Sequence, residues 1–104
     1  MTYNIHVGIP ASGSTPNLAA TAAVINAASP DLVALQEVDK NTTRSGGVDQ
    51  AAYLATATGM NYYFAKAINR FGGEYGIAIL WCSWRAESTC NCSGNGKWEK
   101  NLFW

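Results

Sequence analysis

Glu37 is the side chain whose position in the sequence most directly offers chemistry. It lies in the run Pro30-Asp-Leu-Val-Ala-Leu-Gln-Glu-Val-Asp39, where an apolar stretch follows a helix-stopping proline and ends abruptly in acid. Residues 31–35 are too continuous for a half-exposed strand and too short for an independent helix, so both faces are expected to be covered, as in an α/β sheet. Glu37 is then expected to emerge at the strand end, and open α/β sheets bind ligands outside such ends. On this stretch alone, a solvated acid in a turn is the competing reading.

The elements that must position this carboxylate can be read in order. Residues 2–7 alternate, with Tyr3, Ile5 and Val7 on one face and Asn4 and His6 on the other, which predicts a first strand ending at Gly8. Residues 8–14 are rich in Gly, Pro and Ser and form a loop. Thr15 or Asn17 can cap a helix in which Leu18, Ala22, Ile25 and Ala28 recur at helical spacing until Ser29-Pro30. Strand, helix, strand makes the first two strands parallel through a right-handed crossover. Residues 38–47 read as a polar loop. A second helix is expected at about 48–58, burying Ala51, Ala52, Leu54 and Ala55 and capped by Gly59. Residues 60–68 and 75–80 read as two strands joined by a turn at 69–74, antiparallel to one another.

Composition narrows the partners. Charged residues make up 13% of the 104 residues and the formal net charge is zero, so no global field draws in nucleic acid or an anionic membrane. Any phosphate contact must be local. The 48% hydrophobic content is spread over short runs, none near the roughly 20 apolar residues of a membrane span. The length allows one domain and one modest core, because chains below about 150 residues have little room for a large doubly covered sheet. No signal peptide is visible, and Met1 opens directly on the first strand pattern. From Trp81 onward the chain carries all four tryptophans and all three cysteines with no clean period. Cys90-Asn91-Cys92 lacks a second Cys/His pair at zinc spacing.

The segments Thr2-Tyr-Asn-Ile-His6, Pro30 to Asp39 with its Leu-Gln-Glu, Thr43-Arg-Ser45, Val48-Asp-Gln50 and Gly73-Glu-Tyr-Gly-Ile-Ala-Ile-Leu80 resemble, in order and spacing, the opening motifs of the endonuclease/exonuclease/phosphatase superfamily of DNase I-like proteins. The likeness runs from about Thr2 to Leu80. It implies an α/β (α+β) fold, the N-terminal part of a four-layer α/β sandwich, with a mixed sheet and two helices. Residues 1–80 would be the family portion and 81–104 an irregular Trp/Cys-containing tail, truncated or frameshifted relative to the family.

The resemblance also implies roles. Glu37 is similar in position to the family's metal-binding glutamate, and a hard cation such as Mg²⁺, or Mn²⁺, suits one carboxylate on a rigid strand. Asn4 resembles the asparagine beside the metal and phosphate, where a neutral amide orients an oxygen without adding charge; a strand-end asparagine bonding loop backbone is its bland alternative. Arg44 is placed to contact a phosphate or to hold its loop to an acid. Tyr75 resembles a tyrosine near the scissile phosphate, or is an ordinary strand aromatic. His6 shares a face with Asn4 in an extended strand, but the family's catalytic histidines lie far downstream, so a structural or rim role is expected.

Those downstream motifs are a central histidine, an Asp-x-Asn whose aspartate activates water, and a C-terminal Asp-His pair. His6 is the sole histidine here and no aspartate follows Asp49. The expectation is therefore a fragment of a metal-dependent phosphoester hydrolase, acting on nucleic acid, phospholipid or sugar phosphate, inactive alone and with weak or no metal binding. The alternative is a small non-enzymatic binding or self-associating module, to be decided by whether Trp81, Trp84, Trp98 and Trp104 complete a packed core. No defined protein partner is implied.

Overall fold

The computed structural model describes residues 1–82, so Trp84, Trp98, Trp104 and all but the start of the expected tail lie outside the described residues. Four strands form one mixed sheet: β1 (Thr2–Asn4), β2 (Leu32–Lys40), β3 (Asn61–Arg70) and β4 (Gly73–Trp81), in the order β1-β2-β4-β3. β1 pairs parallel to β2, and β4 runs antiparallel to both β2 and β3. Two helices, α1 (Leu18–Ala28) and α2 (Gln50–Thr58), complete the expected α+β arrangement.

Both helices end as their sequences direct. The Asn17 side chain accepts from the Ala20 N–H and starts α1, while Asp49 accepts from Ala52 N–H and starts α2, two residues later than the spacing predicted. Ser29 and Gly59 close them in left-handed conformations. Leu18, Ala22 and Ile25 of α1 and Ala51, Leu54 and Ala55 of α2 join Val33, Leu35, Val38, Ala78 and Leu80 of the sheet in one core. Leu32, Ile77, Ile79 and Trp81 fall at the alternate positions of β2 and β4 and are 37–51% exposed. Coverage on both faces, expected from the apolar run, is thus not found among the described residues: the helices bury one face and leave the other open.

Three further expectations are corrected. β1 has three residues, not six, because the chain reverses in a 3-10 turn at His6–Gly8 with positive φ at His6, Val7 and Gly8. His6 therefore does not share a strand face with Asn4. Residues 38–40 are not loop, since β2 runs on to Lys40. Glu37 accordingly does not mark a strand end; it sits within β2 in a bulge, where the register shifts between Leu35↔Ala78 and Val38↔Gly76. The extra residue takes the inward positions from Val33 and Leu35 to Val38, a spacing of two and then three.

Gly76 lies between that bulge and a second one in β3, between Lys66 and Ile68. A Cβ there would stand 2.0 Å from the Ala65 carbonyl oxygen, so only glycine fits. The β3–β4 hairpin closes through Phe71 and Gly72, both at positive φ, the pattern of a type I′ turn.

Candidate functional site

The bulge sets the site. Glu37 adopts φ 58°, a left-handed backbone that costs a non-glycine residue about 1–2 kcal/mol, and strain of this kind gathers at functional positions. Its Oε2 accepts a hydrogen bond of 2.8 Å from Asn4 Nδ2 across the β1–β2 pair. No donor among the described residues reaches its other oxygen. The amide of Asn4 is oriented from behind, because its Oδ1 accepts from the His6 backbone N–H at 2.9 Å. Asn4 and His6 are exposed and Glu37 is half-buried, so the pair is open to solvent. A cleft of about 360 Å³ lies beside Asn4 and His6, walled by Tyr3, Pro10 and Thr21.

Two residues along the strand, Asp39 has no exposure at all. Its carboxylate accepts from Arg44 Nε and Nη2 at 2.6 and 2.8 Å, from Ser45 Oγ at 2.7 Å and from Thr42 Oγ1 at 2.8 Å. Burial alone would raise its pKa; the hydrogen bonds from Arg44, Ser45 and Thr42, with the charge of Arg44, overcome this and hold it below the ordinary 3.8. The hydrogen bond to Asp39 in turn raises Arg44. The spelling Asp-x-Asn does occur once, at Asp39-Lys40-Asn41, but a carboxylate buried under four donors cannot meet a substrate water.

The structure places each candidate at the same end of the sheet. Glu37 and Asn4 meet directly. Arg44 is bound to Asp39 in the bidentate manner and its guanidinium also lies over the rings of Phe71, at 4.9 Å, and Tyr75, at 5.4 Å. Tyr75 is the β4 partner of Asp39 and is half-buried. Every lysine and arginine of the described residues, Lys40, Arg44, Lys66 and Arg70, falls in the later half of β2, the loop after it or the adjoining β3–β4 hairpin. Glu37, Asp39, Asp49 and Glu74 fall there too, and Asp39 and Glu74 pair with Arg44 and Lys66, so the charged side chains gather at this end without a net positive charge.

Sequence reasoning assigned no role to Asp39, Thr42, Ser45 or Gln50. The available signal was a short loop, 42–45, made of hydroxyl and guanidinium donors directly after an acid that ends an apolar run.

A divalent cation of the magnesium type needs one or two carboxylates and keeps several waters. Glu37, with one oxygen held and the other without a protein donor, meets part of that requirement. Among the described residues, no three of His, Cys, Asp and Glu gather closely enough to form a metal cage. No described helix is long and apolar enough to cross a membrane.

Comparison with known proteins points the same way. The sequence matches the profile of the Endonuclease/Exonuclease/phosphatase family over residues 1–99. Among solved structures it is similar to an endonuclease/exonuclease/phosphatase from Beutenbergia cavernae DSM 12333, at 26% identity and a TM-score of 0.58. That likeness covers 77% of this chain and 24% of the other, so the chain spans well under half of the relative's length. No curated protein matches it.

Proposed function

The chain belongs to the endonuclease/exonuclease/phosphatase family, and from that premise we propose that it is the N-terminal portion of a metal-dependent phosphoester hydrolase, with Glu37 as the ligand of Mg²⁺ or Mn²⁺. The observation that carries this reading is the strained bulge: Glu37 is held at φ 58° with one carboxylate oxygen fixed by Asn4 and the other without a protein donor. A carboxylate kept for packing alone gains nothing from that backbone.

Asn4 orients Glu37 and keeps the neutral amide beside the phosphate. Arg44 lies over the Tyr75 ring and its hydrogen bonds to Asp39 hold the 42–45 loop; in this reading the two side chains flank the phosphate, with the Arg44 charge largely balanced by Asp39. A bound divalent cation would neutralise charge developing on a phosphoryl oxygen. No described group is placed to activate the attacking water, and the downstream Asp and His motifs do not occur in the sequence, so the chain alone is inactive. Its substrates are phosphoesters: nucleic acid, phospholipid or sugar phosphate.

Calorimetric titration with Mn²⁺ tests the ligand role. The expected result is weak binding, on the order of 1 mM, that disappears in Glu37→Ala; equal binding by both chains would sink the assignment. The open apolar face of β2 and β4 supports a second reading, a small binding or self-associating module. Light scattering that finds a stable oligomer with no Mn²⁺ binding would favour it.

A further inference from the structure

We propose that Gln50 is a positioning residue for the Asn4–Glu37 pair, its buried carboxamide standing in for the strand partner that β2 lacks beyond Gln36. β1 ends at Asn4, opposite Gln36, while β2 continues to Lys40. The last backbone bond between the two is Ile5 N–H to the Gln36 carbonyl, at 3.0 Å. Past that point the Asp39 N–H donates to Gln50 Oε1 at 2.9 Å, and Gln50 Nε2 donates to the Val7 carbonyl at 2.7 Å. A carboxamide has a donor and an acceptor in one plane, as a peptide group does, and so bridges the two chain segments as a strand would. Gln50 is fully buried.

These bonds close a ring around the candidate site. One side runs from Gln50 to the Val7 carbonyl, through the turn to the His6 N–H, on to Asn4 Oδ1, and from Asn4 Nδ2 to Glu37 Oε2. The other side runs from Gln50 to the N–H of Asp39, two residues beyond Glu37. Val7 is β-branched and sits at φ 49°, a conformation that needs an external restraint. Without the bond to its carbonyl the turn relaxes, the His6 N–H leaves Asn4 Oδ1, and the Asn4 amide is free to rotate away from Glu37. The bearing of this ring on metal binding rests on the reading of Glu37 as ligand; the ring itself does not.

The test uses the full 104-residue chain with Gln50→Met, which keeps length but no hydrogen bonds, and Gln50→Glu, which keeps the acceptor for Asp39 and loses the donor for Val7. Thr58→Val, buried in α2 outside the ring, serves as a control for stability alone. Mn²⁺ affinity is read by electron paramagnetic resonance well below each melting temperature, alongside the Asn4 side-chain amide resonances in ¹⁵N spectra. The expected result is an affinity about tenfold or more weaker in both Gln50 variants, with Asn4 resonances moved toward those of a free carboxamide, and neither change in Thr58→Val. Unchanged affinity and resonances in folded Gln50 variants overturn the proposal. If the unmutated chain binds no Mn²⁺, the Glu37 assignment fails and the Asn4 resonances alone decide the positioning role. If both Gln50 variants unfold, hydrogen exchange in the unmutated chain decides: a protected Asp39 amide supports the bridge, and one exchanging as fast as exposed loop amides overturns it.

Discussion

Asp39 and Glu37 are carboxylates two residues apart on the same strand. Asp39 is fully buried and accepts four hydrogen bonds; Glu37 is half-buried and accepts one. The difference separates an acid that holds structure from an acid free to take a ligand. A fully buried carboxylate under four donors, one of them a guanidinium, offers a cation no approach, whereas a half-buried one with an oxygen free of protein donors does.

The comparison is broken most forcefully at Asp39. Asp39→Ala removes the acceptor of Arg44, Thr42 and Ser45 together, and a loss of about 3–5 kcal/mol in urea unfolding is expected, as for breaking a buried pair. Arg44→Met should cost less, about 2–3 kcal/mol, because Thr42 and Ser45 still donate to the carboxylate that remains. Glu37 should behave in the opposite sense. Glu37→Gly relieves the left-handed backbone and is expected to stabilise the chain by about 0.5–1 kcal/mol while abolishing Mn²⁺ binding. A loss of stability in that variant would remove the strain argument.

The smallest effect is in acid. Because the folded-state pKa of Asp39 lies below its ordinary 3.8, the stability it contributes is fully present above that value and is lost as pH falls through the lower folded value. Asp39→Asn should therefore flatten the acid limb of stability against pH below about 4, the ordinary aspartate range. An unchanged limb would show that other carboxylates control it.

The helices and their caps were legible because helical spacing and Asn, Ser and Gly at the ends are local signals. The parallel sense of β1 and β2 was legible from the strand–helix–strand pattern, the β3–β4 hairpin from its turn residues, and the nearness of Asn4 and Glu37 from the family resemblance; that β4 lies between β2 and β3 was not, because it depends on non-local pairing. The bulge was not, because it arises from pairing with β4: Gln36 and Glu37 together face a single residue there. Its one trace is the spacing of Val33, Leu35 and Val38. β1 was overread because Tyr3, Ile5 and Val7 alternate correctly for a strand while Gln50, far along the chain, holds the segment as a turn. Arg44 left two readings open in the sequence, phosphate or acid, and its bidentate contact with Asp39 is the second of them.

Gly76, pressed between two bulges, bears on how the sheet assembles. A slip of one residue in the pairing of β4 would bring Tyr75 or Ile77 into the gap where a Cβ meets the Ala65 carbonyl at 2.0 Å. Such a slip in most hairpins exchanges one set of side-chain contacts for another and is resisted only by burial. Here it meets a steric stop. The glycine acts as a registration pin: a wrongly aligned β3–β4 ribbon cannot close fully, and it has to come apart before β2, with Glu37, can be added to its edge.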